Sequence, residues 1–136
     1  MNNKPKRGYI VNIEEETLSN GDYRRVLFTA NNIQLVLMNL HAGEEIGEET
    51  HELDQFIRVE SGEGTVLLSD ERFPLIADHA VIVPAGTKHN VVNTGDKELK
   101  LYSLYAPPEH KDKIVVKEKE DEKEEHFDGV VSEEAR

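Results

Sequence analysis

Within residues 43–93, two short runs set metal-capable polar side chains into sequence that is otherwise patterned as β-strand. The first reads Gly43-Glu-Glu-Ile-Gly-Glu-Glu49-Thr-His51-Glu-Leu-Asp-Gln55 and closes on Gly62. The second reads Pro84-Ala-Gly86-Thr-Lys-His89-Asn-Val-Val-Asn93. Gly and Pro fence both runs, as expected where strands are interrupted by turns. A chain of 136 residues can bury few polar groups without partners. These side chains are therefore either exposed or bound by something.

The flanking sequence supplies short strands at regular spacing. Residues 9–13 are a β-rich run ended by Glu14-Glu15-Glu16, and Asn20-Gly21 is a tight-turn dipeptide. Further strands are expected at 23–29, 33–40, 55–60, 65–68, 73–76, 80–83, 89–92 and 99–105. Residues 33–40 are apolar on both parities, as in a strand covered on both faces or paired at an interface. Pro74 marks its strand as an edge. Turn-punctuated strands without helical periodicity between them predict an all-β sandwich or barrel. The expected organisation is an N-terminal arm at 1–8, a β-barrel at 9–108 and a charged tail at 109–136. The tail is rich in Glu, Asp and Lys, which favours a solvated, partly disordered segment. Its apolar islands, Ile114-Val-Val116 and the run from Phe127 to Val131, offer a way to dock it on the barrel or on a second subunit.

Charge and composition narrow the function. Sixteen Lys and Arg against 28 Asp and Glu give a formal charge of −12 at pH 7. That argues against nucleic-acid binding, which needs clustered cations, and against a role at a membrane surface. Without cysteine there is no disulfide framework, thiol nucleophile or thiolate zinc site. The basic N-terminal run has no apolar core and does not read as a secretory signal. A soluble, cytoplasmic protein acting on small molecules is the expectation.

On strand geometry Glu49 and His51 share a face, and Gln55 follows on the same parity if the strand runs through. His89 arrives from a separate strand through Pro84-x-Gly86. If the segments meet in a barrel interior, one carboxylate, one amide oxygen and two imidazoles converge. That donor set suits Fe(II), Mn(II), Ni(II), Co(II) or Zn(II). Glu48 competes with Glu49 for the carboxylate position, and parity with His51 prefers Glu49.

The two runs resemble the paired motifs of the cupin family, Gly-x5-His-x-His-x3,4-Glu-x6-Gly and Gly-x5-Pro-x-Gly-x2-His-x3-Asn. The first falls on Gly43, Glu49, His51, Gln55 and Gly62, and the second on Asp78, Pro84, Gly86, His89 and Asn93, with every spacing kept. The resemblance implies a small single-domain cupin, an RmlC-like jelly-roll barrel of the conserved cupin 2 type that is often labelled mannose-6-phosphate isomerase-like. It also implies one divalent transition metal held by Glu49, His51, Gln55 and His89. Three positions depart from the pattern: Glu49 for the first His, Gln55 for the Glu and Asp78 for the leading Gly. Glu49 and Gln55 together restore one carboxylate and one neutral donor. A Gln at the family's Glu position also looks like the site of a small pectin-degradation cupin acting on unsaturated uronates.

The family spans many reactions, so the motif pair speaks for fold more than for chemistry. The expected function is a metal-dependent enzyme on a small polar metabolite (sugar, uronate or keto acid) working by isomerase- or lyase-like proton transfer. Tyr105, on the parity of Leu101 and Ser103, is the candidate proton donor. An Fe(II)-type dioxygenase and a non-enzymatic binding module are the alternatives. Arg24 and Arg25 cannot both face inward, and one of them could hold a substrate carboxylate. His41 and His79 are expected in solvent, and His110 and His126 lie in the tail. A homodimer is the expected assembly, with a small-molecule ligand and neither nucleic acid nor membrane as partner.

Overall fold

The structure is a computed structural model that describes residues 5–136, so residues 1–4 of the expected arm lie outside the described residues. Antiparallel strands form two sheets. The larger holds β1 (Arg24–Thr29), β2 (Gln34–Leu40), β3 (Asp54–Ser61), β6 (Ala80–Val83), β8 (Leu99–Ala106) and β9 (Val115–Val116), in the order β6-β3-β8-β2-β1-β9. The smaller holds β4 (Glu63–Leu68), β5 (Glu71–Ile76) and β7 (His89–Val92), in the order β5-β4-β7. β5, which carries Pro74, is an edge strand as predicted. The two sheets make the jelly roll that the motif pair implied.

Cross-strand register explains which side chains enter the interior. Met38 pairs with Leu101, Leu101 with Val59, and Val36 with Ser103, Ser103 with Ile57. The apolar members of these rows, with Leu40, Val66, Leu75, Val83, Val91 and Leu99, make one apolar cluster. One row nearer the mouth the interior turns polar, because Gln34 pairs with Tyr105 and Tyr105 with Gln55.

Residues 9–13 do not form the expected strand. Ile13–Ser19 is a helix, α1. Asn12 caps it by accepting from the Glu15 amide at 3.1 Å, and Glu14, Glu15 and Glu16 fill its first turn. A capping side chain and three carboxylates at its positive end stabilise this helix, which takes Ile13 out of the expected strand and leaves residues 9–12 without regular structure. The helix packs on β3 and β8, and Asn39 Nδ2 donates to the Asn20 carbonyl at 3.1 Å. Leu37, on the face of β2 opposite the core, is fully buried within the chain.

Residues 109–136 lie against the barrel. β9 extends the large sheet beyond β1, with the Val26 amide donating to the Ile114 carbonyl at 2.9 Å. Further on, Ser132 Oγ accepts from the Thr29 amide at 2.9 Å and donates to Asp112 Oδ1 at 2.6 Å. Lys119 Nζ donates to the Ile46 carbonyl at 3.0 Å, tying the 3₁₀ turn Lys119–Asp121 to the loop before the first motif histidine.

Two motif positions show their backbone reason. Gly62 has φ +92°, and a Cβ there would strike the Glu98 carbonyl oxygen. Asp78, where the family pattern has Gly, has φ +70°. Asp is among the few side chains that tolerate the left-handed region, and here its carboxylate also accepts from Arg58 at 3.0 Å. No helix among the described residues is long and apolar enough to cross a membrane.

Candidate metal centre

Glu49, His51, Gln55 and His89 gather at one end of the barrel. Glu49 and His89 form an isolated antiparallel bridge, each donating its amide to the other's carbonyl at 2.9 Å. Glu49 Oε2 lies 3.3 Å from His51 Nε2, and the His51 and His89 rings are 5.2 Å apart between centroids. Glu48 turns away toward Lys88, 3.4 Å distant. The strand does not run through from Glu49 to Gln55: β3 begins at Asp54, and His51 sits just ahead of the bend at Glu52 and Leu53. Gln55 nevertheless faces the interior, 4% exposed, by its place in the β3–β8 register.

The orientation of each donor follows from its partners. His89 Nδ1 is 2.9 Å from the Thr87 carbonyl, which can only accept, so Nδ1 carries the proton and Nε2 is left with its lone pair. Gln55 Nε2 donates to Ser103 Oγ at 3.2 Å, and Gln55 Oε1 is buried with no hydrogen-bond partner. His51 Nδ1 faces Glu109 Oε2 at 3.6 Å. Imidazoles backed by a carbonyl or a carboxylate and turned inward through the other nitrogen are the usual arrangement of ligating histidines. Among the described residues, no three His, Cys, Asp or Glu side chains are closed into ligating geometry. The set at this site is mixed, with an amide oxygen as one member. An orphaned buried oxygen, two imidazoles with outward nitrogens engaged and one carboxylate fit a divalent transition metal chemically.

Around these four stand residues that the motifs did not single out. Gln34, buried on the interior face, accepts from the amides of Glu109 and His110 at 3.2 and 3.0 Å and donates to the His110 carbonyl at 2.7 Å. That clamp holds Glu109 and His110 over the mouth. Glu109 Oε1 lies 3.0 Å from His126 Nδ1. The His110 ring meets Tyr105 edge-on, with centroids 5.2 Å apart. Burial, helped by Arg24 and His51, pushes the His110 imidazole down to about 3, so it is neutral. Tyr105, also interior, is driven far above the usual phenol value by burial; Arg24 opposes this, and Glu49 and Glu109 add to it. Arg24 faces the interior beside Met38, 5% exposed, and pairs with Glu122 at 2.9 Å. Arg25 is exposed on the other face, as are His41 and His79 in their loops. Of the missed residues, only Arg24 had left a trace in the sequence, through its parity.

Comparison with known proteins gives the family. The cupin domain profile matches residues 36–105. The chain is 46% identical over 109 residues to the uncharacterised protein YrkC of Bacillus subtilis (strain 168), covering 75% of this chain and 59% of that protein. It thus spans less than two thirds of YrkC. Over 111 residues it is 30% identical to the polyketide synthase CurC of Streptomyces cyaneus, covering 76% of this chain and 71% of that protein. The crystal structure of BH2720 from Bacillus halodurans superposes with a TM-score of 0.83 at 45% identity, over 85% of this chain and 92% of that one. With both motifs in register on a jelly roll and the family's profile over half its length, the chain belongs to the cupin family.

Proposed function

We propose that this cupin is a metal-dependent enzyme acting on a small polar metabolite, a sugar, uronate or keto acid, by isomerase- or lyase-like proton transfer. The observation that carries the reading is Gln55 Oε1, a buried acceptor without a donor beside two imidazoles whose outward nitrogens are engaged. Glu49, His51, Gln55 and His89 would hold one divalent transition metal, which when bound supplies Lewis acidity toward a carbonyl or enediolate oxygen. The chain's own groups handle the protons. Tyr105, kept protonated by burial, serves as a donor to an oxygen gaining negative charge and not as a base. Glu109 stands between His51 and the solvent-exposed His126, placed to take up a proton and pass it outward. A chain without cysteine suits a reducing cytoplasm.

Metal analysis of freshly purified protein tests this reading. Close to one equivalent of a transition metal is expected, retained on dialysis and lost in the Gln55→Ala variant. Less than about a tenth of an equivalent, with none taken up on addition, overturns it. With metal present, oxygen consumption on keto acids and enediols marks a dioxygenase instead, and absence of turnover across the panel marks a binding module.

The assembly we propose is a homodimer through the outer face of the large sheet. Phe28, Leu35, Leu104, Phe56 and Ile82 occupy one continuous cross-strand row there, all partly or fully exposed. Sedimentation as a dimer that dissociates on Ile82→Glu is the expected result, and a wild-type monomer excludes it.

A further inference from the structure

Two cavities of about 310 Å³ each share four residues, Arg24, His110, Lys123 and Glu125. The one opening on the metal side is strongly acidic, lined by Glu48, Glu49, Glu109, Glu122, Glu124 and Glu125. The other differs in character. The apolar residues Ile114, Val115 and Val116 form one wall, and its cations, Arg24, Lys117 and Lys123, outnumber its carboxylates, Asp121 and Glu125. Where they adjoin, two buried nitrogens have no hydrogen-bond partner, Arg24 Nε and His110 Nε2. Arg24 meets one carboxylate, Glu122, through a single nitrogen at 2.9 Å. A guanidinium is a planar fork that favours a bidentate anion, and a buried donor left open costs free energy.

We infer that Arg24 and His110 form a carboxylate-binding subsite, walled by the segment 114–123, that takes the anionic end of the substrate, with Glu122 as its tethered occupant. The inference deepens the function proposed above and rests on it, naming the substrate as a carboxylate such as an α-keto acid or a uronate and not a neutral sugar. Such a molecule sets its carboxylate on Arg24 and extends its reacting carbon past His110 and Tyr105 toward the four candidate ligands. The carboxylate displaces Glu122, which is partly exposed and keeps Lys119 as a partner at 3.1 Å. No bond is made or broken in this exchange of one carboxylate for another.

The test uses the full-length chain stripped of metal with a chelator, so that it is independent of whether a metal site exists. Pyruvate and its neutral isostere pyruvamide are titrated by calorimetry and by ligand-observed NMR. Pyruvate is expected to bind and pyruvamide not. Glu122→Gln, which frees the subsite, is expected to tighten pyruvate about tenfold, and Arg24→Gln to weaken it by about tenfold or more, the range of one charge-assisted hydrogen bond. Equal binding of the two isosteres, no binding of pyruvate to either wild type or Glu122→Gln, or an unchanged affinity in Glu122→Gln overturns the inference. If Arg24→Gln does not fold, the isostere comparison and Glu122→Gln decide alone. Metal content of the same preparations before stripping is read separately, so a metal-free protein that still selects pyruvate refutes only the function proposed above.

Discussion

Gln55 illustrates what a buried acceptor costs a protein. An amide oxygen buried without a donor destabilises the fold by about 1–3 kcal/mol, and Gln55 Oε1 is such an atom. Gln55→Leu removes the orphan. Metal-free protein is expected to gain stability, or at least lose none, in urea titrations, while metal affinity falls at least about tenfold. A variant that loses stability and keeps its metal would show that the amide is there for packing. Glu109 acts one step further out, through His51. Glu109→Gln is expected to weaken metal binding about 10–100-fold, the usual effect of an outer partner, whereas His126→Ala changes it little, because the His126 side chain is mostly in solvent. Competition with a chromophoric chelator measures both. The convergence of Glu49, His51, Gln55 and His89 at one end of the barrel was legible because they sit at short, fixed spacings in two runs. The placement of Glu109 and His110 was not, because it depends on Gln34 reaching His110, 76 positions away, which has no local signature. For Arg24 the sequence shows only that it and Arg25 cannot both face inward, and β1 register decides between them.

At the scale of elements, the strands could be read from the sequence because turn residues mark their ends and interior residues alternate. The N-terminal run was misread for a reason that generalises. Capping and dipole effects act at a helix end over three or four residues, and they favour helix from Ile13 onward, while residues 9–12 take no strand partner. Asn12→Ala is accordingly expected to cost about 1 kcal/mol, with loss confined to α1 in hydrogen exchange. The turn between β3 and β4 is held more tightly. Gly62→Ala puts a methyl against the Glu98 carbonyl at a positive φ, where strain alone costs about 1–3 kcal/mol. A drop in the urea midpoint of that order, with an unchanged m-value, is the expected measurement.

The molecule as a whole carries a charge of −12, and a few of its carboxylates are held by cations within the fold. Glu122 is one. Burial acts against its charge, but Arg24 and the Lys119 hydrogen bond outweigh that and hold it below the usual value of 4.5. Glu98 is lowered as well, by hydrogen bonds from Asn39 and then Lys100. A carboxyl group with a depressed folded value contributes stability that is complete above its unfolded value and lost as pH falls through the folded one. Resistance to unfolding in urea is therefore expected to weaken from about pH 5 downward, and the double variant Glu98→Gln, Glu122→Gln to show a shallower decline. An identical slope in both proteins would place the acid sensitivity elsewhere.

The segment after β8 does two jobs on two faces: β9 completes the large sheet, and the residues that follow wall the cavity at Arg24. The candidate ligands lie wholly outside that segment, in the loops and strands of the barrel. Their outer partners come from the other stretch: Glu109, facing His51, and Glu122, on Arg24, both follow β8. Exchanging the C-terminal stretch between relatives would change the partners of His51 and Arg24 together, while the four candidate ligands themselves stayed in place.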